Sequence, residues 1–387
     1  MKSSQLAATG VAATLLLTGS IFAGSRFSAS VSAQAPAPGQ APAPAQVAAP
    51  APSTIQAKDI AFDSAGDFLK LPDDIHLGEV AGVATTSTGN IWLYYRSGGP
   101  NATLGASRNY INGGARLLEF DKTGKFLREV GNSENDRPYA FLFAQGARVD
   151  PQDNVWIIDR ASRMVVKFDR AGRVLLTLGR RPEAIGERGS SAGSGVFGRV
   201  GGAPGLGVPG DNFNQPTDVA WDAAGNIFIT DGYGNARVTK FDKNGKYIKQ
   251  WGGIGSGPGQ FNIPSSVAVD AAGNVYVADM GNARIQVFDN DGNVKSEIKG
   301  VGATRAICIS PGAHQYLFSS NSNPTDDPFL NGEILKLELN GTPVGKFGKA
   351  GKQFKEFGMV NSIDCRDPNT VYVAELMNWR VQKLSLK

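Results

Sequence analysis

The sequence predicts an all-β fold: a six-bladed β-propeller whose blades are four-stranded antiparallel sheets. Two observations lead to this prediction. One pattern of short strand-forming runs, separated by turn residues, recurs in tandem from residue 62 to the end of the 387-residue chain. The composition also fits, because 49 glycines and 21 prolines supply the many turns that such a repeat requires. Tandem four-stranded units are typical of propeller blades.

The two clearest copies of the repeat are adjacent and cover residues 215–252 and 263–300. In the second copy, the runs with strand composition are residues 266–270, 275–278, 284–289 and 294–298. Gly273-Asn274 and Asp291-Gly292 lie between these runs. Glycine and asparagine accept the positive φ values that hairpin turns require. Each copy therefore predicts one blade.

Other copies complete the ring. Blade one covers residues 80–124, blade two contains 153–157 and 168–172, blade five is a degenerate copy at 306–337, and blade six covers 362–384. Blade six ends without a fourth strand, while residues 62–69 resemble residues 241–248 of blade three. We therefore expect residues 67–71 to be the outer strand of blade six, which closes the ring and removes an open seam.

The N-terminal segment has the composition of a signal peptide. Lys2 gives a positive start, residues 6–23 are largely apolar, and Val31-Ser32-Ala33 offers a small-residue cleavage site. An uncleaved membrane anchor is the alternative, although the apolar run is short for a span. We expect a signal peptide at 1–33 cleaved after Ala33, a Pro/Ala-rich linker at 34–55 and the propeller at 56–387. The protein is then periplasmic or secreted, with no transmembrane span in the mature chain.

The charge balance argues against a nucleic-acid partner, because 39 basic residues stand against 35 acidic ones and form no basic stripe. The chain has two cysteines, Cys308 and Cys365, in the predicted innermost strands of blades five and six. Because neighbouring blades splay away from the axis, we expect two free, packed thiols, with a disulfide as the alternative.

The motif resembles the NHL repeat over residues 62–384, which implies an NHL/TolB-like propeller. The residues that fit the acidic–arginine pairs of this repeat are Asp231 with Arg237, Asp279 with Arg284, Glu375 with Arg380 and, for the basic half alone, Arg116. We interpret these charges as salt bridges within blades rather than as a catalytic set.

Three long insertions interrupt the repeat, at residues 96–115, 180–212 and 321–332. In an antiparallel blade that runs outward from the channel, all three positions lie on one face of the ring, which we call the insertion face. Long loops on a rigid scaffold commonly build binding sites. The alternative is that glycine-rich stretches such as 193–210 are disordered spacers.

The same face exposes the first residue of each innermost strand and the ends of the second strands, around the channel mouth. The candidate ligand-binding residues there are Tyr95, Arg96, Gln145, Arg160, Thr217, Tyr233, Ser265, Arg305 and Asn361. Arginines beside amides and aromatic rings suit a small polar or carboxylate-bearing ligand, a peptide or a protein.

Residues 82–384 also resemble the peptidyl-α-hydroxyglycine α-amidating lyases, through stretches such as QPTDVAWD, DGYGNARVTKFDKNGKYIKQWG and VADMGNARIQVF. The resemblance implies a six-bladed propeller with a zinc ion held by three histidines, and a tyrosine and an arginine that assist C–N bond cleavage. The tyrosine position matches Tyr233 and the arginine position matches Arg96. The three histidine positions fall on Gln145, Ser265 and Asn361.

These replacements disfavour zinc, because amide and hydroxyl oxygens are weak substitutes for imidazole. No other cofactor is predicted, although calcium is possible with oxygen ligands from Gln145, Asn361, Asp159 and Glu375. No residue is assigned a catalytic role beyond the matches Arg96 and Tyr233. We therefore favour a ligand- or protein-binding module, with a lyase or a lactonase-type hydrolase of altered active site as the alternative.

Overall fold

The computed structural model describes residues 53–97, 101–104, 108–111, 114–131, 141–180, 207–322 and 332–387. The predicted signal peptide and almost all of the predicted linker lie outside these residues, as do most of the three insertions. Within the described residues, Met280–Asn282 form a short 3-10 helix, and no helix has the length and apolarity that a membrane crossing needs.

Six four-stranded antiparallel sheets follow one another along the chain, which confirms the predicted fold. Blades one to three contain β2 (Val80–Thr85), β3 (Ile91–Arg96), β6 (Ala115–Phe120), β7 (Phe126–Val130); β8 (Ala144–Val149), β9 (Val155–Asp159), β10 (Met164–Phe168), β11 (Val174–Gly179); and β12 (Pro216–Trp221), β13 (Ile227–Asp231), β14 (Arg237–Phe241), β15 (Tyr247–Gly252). Blade one also carries the hairpin of β4 (Asn101–Leu104) and β5 (Arg108–Ile111).

Blades four to six complete the ring. Their strands are β16 (Pro264–Val269), β17 (Val275–Asp279), β18 (Arg284–Phe288), β19 (Val294–Lys299); β20 (Ile307–Ile309), β21 (Tyr316–Ser322), β22 (Gly332–Glu338), β23 (Pro343–Phe347); and β26 (Val360–Asp367), β27 (Thr370–Glu375), β28 (Arg380–Leu386) with β1 (Phe62–Ala65). A short parallel pair, β24 (Lys349–Ala350) and β25 (Glu356–Phe357), precedes blade six. The innermost strands β2, β8, β12, β16, β20 and β26 contact one another in that order and return to β2.

The N-terminal strand closes blade six, but it is not the segment that the sequence predicted. Strand β1, Phe62–Ala65, pairs antiparallel with β28, whereas the prediction placed this strand at residues 67–71. The Phe62 ring packs against Phe347 of blade five and Phe357 of β25, which fixes this segment at the boundary between blades five and six. Residues after Gly66 have already turned towards blade one, where Lys70 donates its backbone N–H to Gly124 at 2.7 Å.

The expectation of two free thiols is wrong, because Cys308 and Cys365 form a disulfide with a Cα–Cα distance of 6.0 Å. Matching positions on strands that splay apart would keep the two thiols separate. The structure shows that the register of β26 is irregular between Asp364 and Asp367. This irregularity lets Cys365 meet Cys308 across the boundary between blades five and six, close to the axis, where the blades are least separated.

Arg148 of β8 crosses the central channel and connects blade two to four other blades. Its Nε and Nη2 donate to the two carboxylate oxygens of Asp218 in blade three, at 2.9 and 2.5 Å. Nη2 also lies 3.2 Å from Ser266 Oγ in blade four and 3.0 Å from the Ile307 carbonyl in blade five. Nη1 donates to the Ile363 carbonyl in blade six at 3.1 Å. This guanidinium therefore joins inner strands around most of the ring.

The acidic–arginine pairs of the repeat lie inside blades, as their interpretation as salt bridges requires. Arg237 and Asp231 are both fully buried with a 3.0 Å contact. The second oxygen of Asp231 accepts the backbone N–H of Asn214 at 2.8 Å, which fastens the chain just before β12 begins. The equivalent contacts join Arg284 to Asp279 at 2.8 Å and Arg380 to Glu375 at 2.8 Å.

We predict that ring closure by β1 is a major part of the stability of the fold. Removal of residues 1–52 should leave the melting temperature nearly unchanged. Removal of residues 1–66 should lower it by about 5 °C or more, because loss of the buried Phe62 ring alone is worth about 3–5 kcal/mol. Thermal unfolding followed by circular dichroism compares the two, and equal melting temperatures would contradict this role for β1.

We also predict strong coupling between Arg148 and Asp218. Arg148→Met should cost about 3–5 kcal/mol of unfolding free energy, because it leaves a largely buried carboxylate without its partner. The double variant Arg148→Met/Asp218→Leu should be less destabilised than the sum of the two single variants. Denaturant unfolding measures all three, and additive losses would show that the two residues act independently.

Candidate functional site

A β-bulge marks the start of five of the six innermost strands. The residue before the bulge pairs with the last residue of the second strand in four blades and with Tyr95, the last but one residue of β3, in blade one. The residue after the bulge pairs with the preceding residue of the second strand in all five. The bulged residues are Ala81, Gln145, Thr217, Ser265 and Asn361. A bulge leaves its residue outside the hydrogen-bond ladder and turns its side chain in a new direction. The five residues aligned from the sequence therefore occupy the same structural position in their blades. Arg305 precedes Ala306 at this place in blade five.

Several of these bulged residues bind the backbone of neighbouring blades. Asn361 Nδ2 donates to the carbonyls of Ala81 and Gln145, at 2.6 and 2.9 Å. Thr217 Oγ1 lies 2.8 Å from the Pro264 carbonyl, and Ser265 Oγ lies 2.9 Å from the Thr304 carbonyl. These side chains therefore donate hydrogen bonds to other blades and hold the inner strands together at the mouth.

A small cavity of about 10 Å³, large enough for about one water molecule, lies among these residues. Gln145 and Asn361 line it, together with Arg148 and Asp218. Gln145 Oε1 and Asn361 Oδ1 are buried and have no hydrogen-bond partner in the described part of the chain. Asn361 cannot reverse its amide without losing both Nδ2 bonds, so its oxygen is held as an acceptor.

Three arginines surround one tyrosine at the mouth, and we call Arg96, Arg160, Arg305 and Tyr233 the arginine cluster. Arg305 Nη1 donates to the Tyr233 hydroxyl at 2.9 Å. The Arg160 guanidinium stacks 3.7 Å above the Tyr233 ring, and that of Arg96 lies 3.9 Å from the Phe143 ring centre. These four residues come from blades one, two, three and five, and the fold brings them together as the sequence predicted.

The arginine cluster is strongly positive and only partly exposed, and Arg160 is its buried member. Burial alone raises the pKa of Tyr233, but the charges of Arg305, Arg160 and Arg96 outweigh burial and lower that pKa below its usual 10.0. Burial, together with the like charges of Arg96 and Arg305, lowers the pKa of Arg160 to about 10. Burial also lowers the pKa of Arg96 despite its 2.5 Å ion pair with Glu79. A bound anion relieves this repulsion.

Tyr95 is the one candidate that the structure does not bring to this group. Its ring is fully buried in an apolar cluster with Val80 and Leu118 between blades one and six. Successive side chains of β3 point to opposite faces of the sheet, so Arg96 reaches the mouth while Tyr95 faces the core.

Three residues that contact the arginine cluster were not predicted from the sequence: Glu79, Phe143 and Gln215. Glu79 pairs with Arg96, Phe143 receives its guanidinium, and Gln215 Oε1 accepts from Arg160 Nε at 2.9 Å. All three residues stand two positions before a bulged residue. Extending the alignment of the bulged residues by two positions towards the N-terminus therefore identifies all three.

The residues at the mouth do not fit a zinc ion. Gln145, Ser265 and Asn361 offer neutral oxygens, which are weak zinc ligands, and the Ser265 hydroxyl already donates to the Thr304 carbonyl. Across the described residues, no group of three or more histidine, cysteine, aspartate or glutamate side chains is placed to hold a metal. His314 pairs with Glu338 at 2.9 Å in blade five, away from the mouth.

Comparison with known proteins agrees with this architecture. A family model described as a 6-bladed beta-propeller matches residues 213–358. NHL repeat-containing protein 3 of Homo sapiens is 29% identical over 279 residues, covering 69% of this chain and 72% of that protein. A solved Bacteroides thetaiotaomicron protein of unknown function, 12% identical with a TM-score of 0.50, covers 85% of this chain and 73% of its own and shares the fold.

The amidating enzymes are similar over most of the chain. Peptidyl-glycine alpha-amidating monooxygenase B of Xenopus laevis is 29% identical over 332 residues, covering 81% of this chain and 34% of that protein. Peptidyl-alpha-hydroxyglycine alpha-amidating lyase 1 of Drosophila melanogaster is 27% identical over 349 residues, covering 80% and 58%. The chain spans about a third of the length of the amidating monooxygenases that it matches. The chain is a six-bladed propeller that is similar to NHL repeat-containing proteins and to these lyases, which confirms the resemblance predicted from the sequence.

We predict that the protein does not bind zinc at the mouth. The purified chain should carry well under one zinc per molecule, because losing all three imidazoles removes the ligands that the ion requires. The matched triple variant Gln145→His/Ser265→His/Asn361→His should gain near-stoichiometric zinc. Mass spectrometry of metal content measures both, and a full zinc complement in the natural chain, removable by a chelator, would contradict this assignment.

We predict that Tyr233 ionises at a lower pH than an ordinary tyrosine. The difference in absorbance at 295 nm between the natural chain and Tyr233→Phe should titrate with a midpoint below 10.0, because three guanidiniums stabilise the phenolate. Arg305→Met should raise that midpoint. A midpoint at or above 10.0 in the natural chain would show that burial outweighs the arginines.

Proposed function

We propose that this propeller is a binding module that takes a small carboxylate-bearing ligand, such as the C-terminus of a peptide, at the arginine cluster. The observation that supports the proposal best is the placement of Arg305. It donates to Tyr233 at 2.9 Å, in a cluster with Arg96 and Arg160, and no described carboxylate lies within ion-pair distance of its guanidinium. Guanidinium groups bind carboxylates through paired hydrogen bonds of fixed geometry.

Binding is favoured over catalysis because the described residues of the mouth include no set of metal ligands. Two of the three residues at the zinc-histidine positions, Ser265 and Asn361, support neighbouring strands through their side chains. The alternative, a lyase or hydrolase with altered chemistry, is supported by the retention of Arg96 and Tyr233 and by the lowered pKa of Tyr233. Similarity to a lyase named for peptidyl-alpha-hydroxyglycine favours a peptide-like ligand in either case.

We also propose that the protein acts outside the cytoplasm, in the periplasm or beyond the cell. The composition of residues 1–33 supports this location. The disulfide between Cys308 and Cys365 agrees with it, because structural disulfides persist in oxidising compartments.

Calorimetric titration with short peptides and small carboxylic acids tests the binding site. At least one peptide with a free C-terminal carboxylate should bind, and the same peptide with a C-terminal amide should not. Arg305→Met should weaken binding at least tenfold, because a charge-assisted hydrogen bond is worth about 1.5–3 kcal/mol. Arg173→Met is the matched control, since Arg173 is an exposed arginine on the opposite face whose described ion pair is with Asp169.

Three results would contradict the proposal: equal affinity of the Arg305 variant and the natural chain, equal affinity for acid and amide, or loss of affinity in the Arg173 control. Turnover of a bound peptide would instead favour the enzyme alternative. Release of glyoxylate from a peptide ending in α-hydroxyglycine measures that turnover directly.

A further inference from the structure

The repeat departs from its own pattern at three neighbouring positions between blades one and two, on the face opposite the insertion face. These positions are Thr86 and Glu119 of blade one and Asp153 of blade two. All three line one cavity of about 250 Å³, together with Thr88, Asn90, Trp92 and Arg170. We call it the blade one–two cavity, and it includes no residue of the arginine cluster.

The first departure is Thr86, which follows the innermost strand of blade one. Blades two, three and four have an aspartate here, and it accepts the side-chain amide of the asparagine four residues later, as Asp150 does from Asn154 at 3.0 Å. Thr86 has no carboxylate, so Asn90 Nδ2 donates instead to Glu119 Oε1 at 3.0 Å. The volume of the missing carboxylate stays open.

The second departure is Glu119. Four of the other five blades have a lysine at this position, and in blade two Lys167 pairs with Asp150 at 3.0 Å. Glu119 reverses that charge and is held from two sides, by Asn90 on one oxygen and by Arg128 Nε at 2.7 Å on the other. Its carboxylate therefore has a fixed orientation beside the cavity.

The third departure is Asp153, which occupies a turn position that is glycine in blades one, three and four, where φ is between 82° and 87°. Asp153 has φ of 60°, in the left-handed region that favours glycine. Its side chain is buried, and its carboxylate accepts from the backbone N–H of Ser87 at 2.7 Å and from Arg170 Nη2 at 2.5 Å. A strained residue with a buried, oriented carboxylate points to a functional position.

We propose that the blade one–two cavity binds a neutral polyol of about the size of one sugar ring. Carboxylate oxygens fixed in place accept ligand hydroxyl hydrogens, and the hydroxyls of Thr86 and Thr88 both donate and accept. The buried indole of Trp92, which has the Arg128 guanidinium 5.6 Å from its ring centre, forms part of the cavity wall. Glu119 and Asp153 each have an arginine, Arg128 and Arg170, so the cavity needs no cation to balance it.

The cavity volume also limits the ligand. Sites for drug-sized molecules occupy roughly 300–1,000 Å³, and this cavity is smaller at about 250 Å³. One six-membered ring with its hydroxyls is therefore a better fit than an oligosaccharide. The inference does not depend on ligand binding at the arginine cluster, because the two sites share no residue and lie on opposite faces.

The test is saturation-transfer NMR and calorimetry on the full chain with glucose, galactose, mannose, N-acetylglucosamine and glycerol. Two variants restore the repeat: Thr86→Asp/Glu119→Lys recreates the pair seen in blade two, and Asp153→Gly recreates the turn of the other blades. Because other blades use these residues, both variants should fold, which thermal unfolding confirms. Each should weaken polyol binding at least tenfold, while Lys295→Met on the same face of blade four should not change it.

The proposal is overturned if no polyol in this set binds saturably, or if either repeat-restoring variant binds as the natural chain does. Terbium luminescence sensitised by Trp92 provides a separate check for a cation. Saturable terbium binding that competes with the polyol and is lost in Asp153→Gly would identify a cation site instead and would also overturn the proposal.

Discussion

The contact between Arg148 and Asp218 in the central channel is the interaction on which the rest of this structure depends. Inner strands of a propeller direct backbone carbonyls and short polar side chains into the channel, where buried acceptors need donors. One guanidinium satisfies the carbonyls of Ile307 and Ile363 and the carboxylate of Asp218 at once. It therefore sets the spacing of five blades with a single side chain.

This contact also fixes the geometry of the channel mouth. Asp218 directly follows the bulged residue Thr217, and Ser266 directly follows Ser265, so fixing the channel residues also fixes the mouth residues above them. The bulged side chains then bind across to the next blade, while the arginine cluster stands above them on the insertion face. A rigid ring thus holds three guanidiniums close together, an arrangement that isolated arginines avoid and that an anion stabilises.

Much of this architecture was predictable from the sequence, because the repeat encodes it locally. Turn glycines and alternating apolar residues specify each blade, and aligning the copies was sufficient to find Gln145, Ser265 and Asn361 at one structural position. Two features were not encoded in this way. The disulfide depends on a register irregularity in β26, and Tyr95 faces the core because of strand alternation, which alignment of whole blades does not resolve. The partners Glu79 and Phe143 lie outside the strands, where the repeat is weakest.

The most direct test of an anion-binding mouth is anomalous scattering from crystals of residues 53–387 soaked in sodium bromide. Bromide reports the positions that favour an anion without assuming the identity of the ligand. The account predicts a strong anomalous peak within hydrogen-bonding distance of Arg305 and Arg160, beside the Tyr233 hydroxyl. Peaks confined to other surfaces, with none at the arginine cluster, would contradict it.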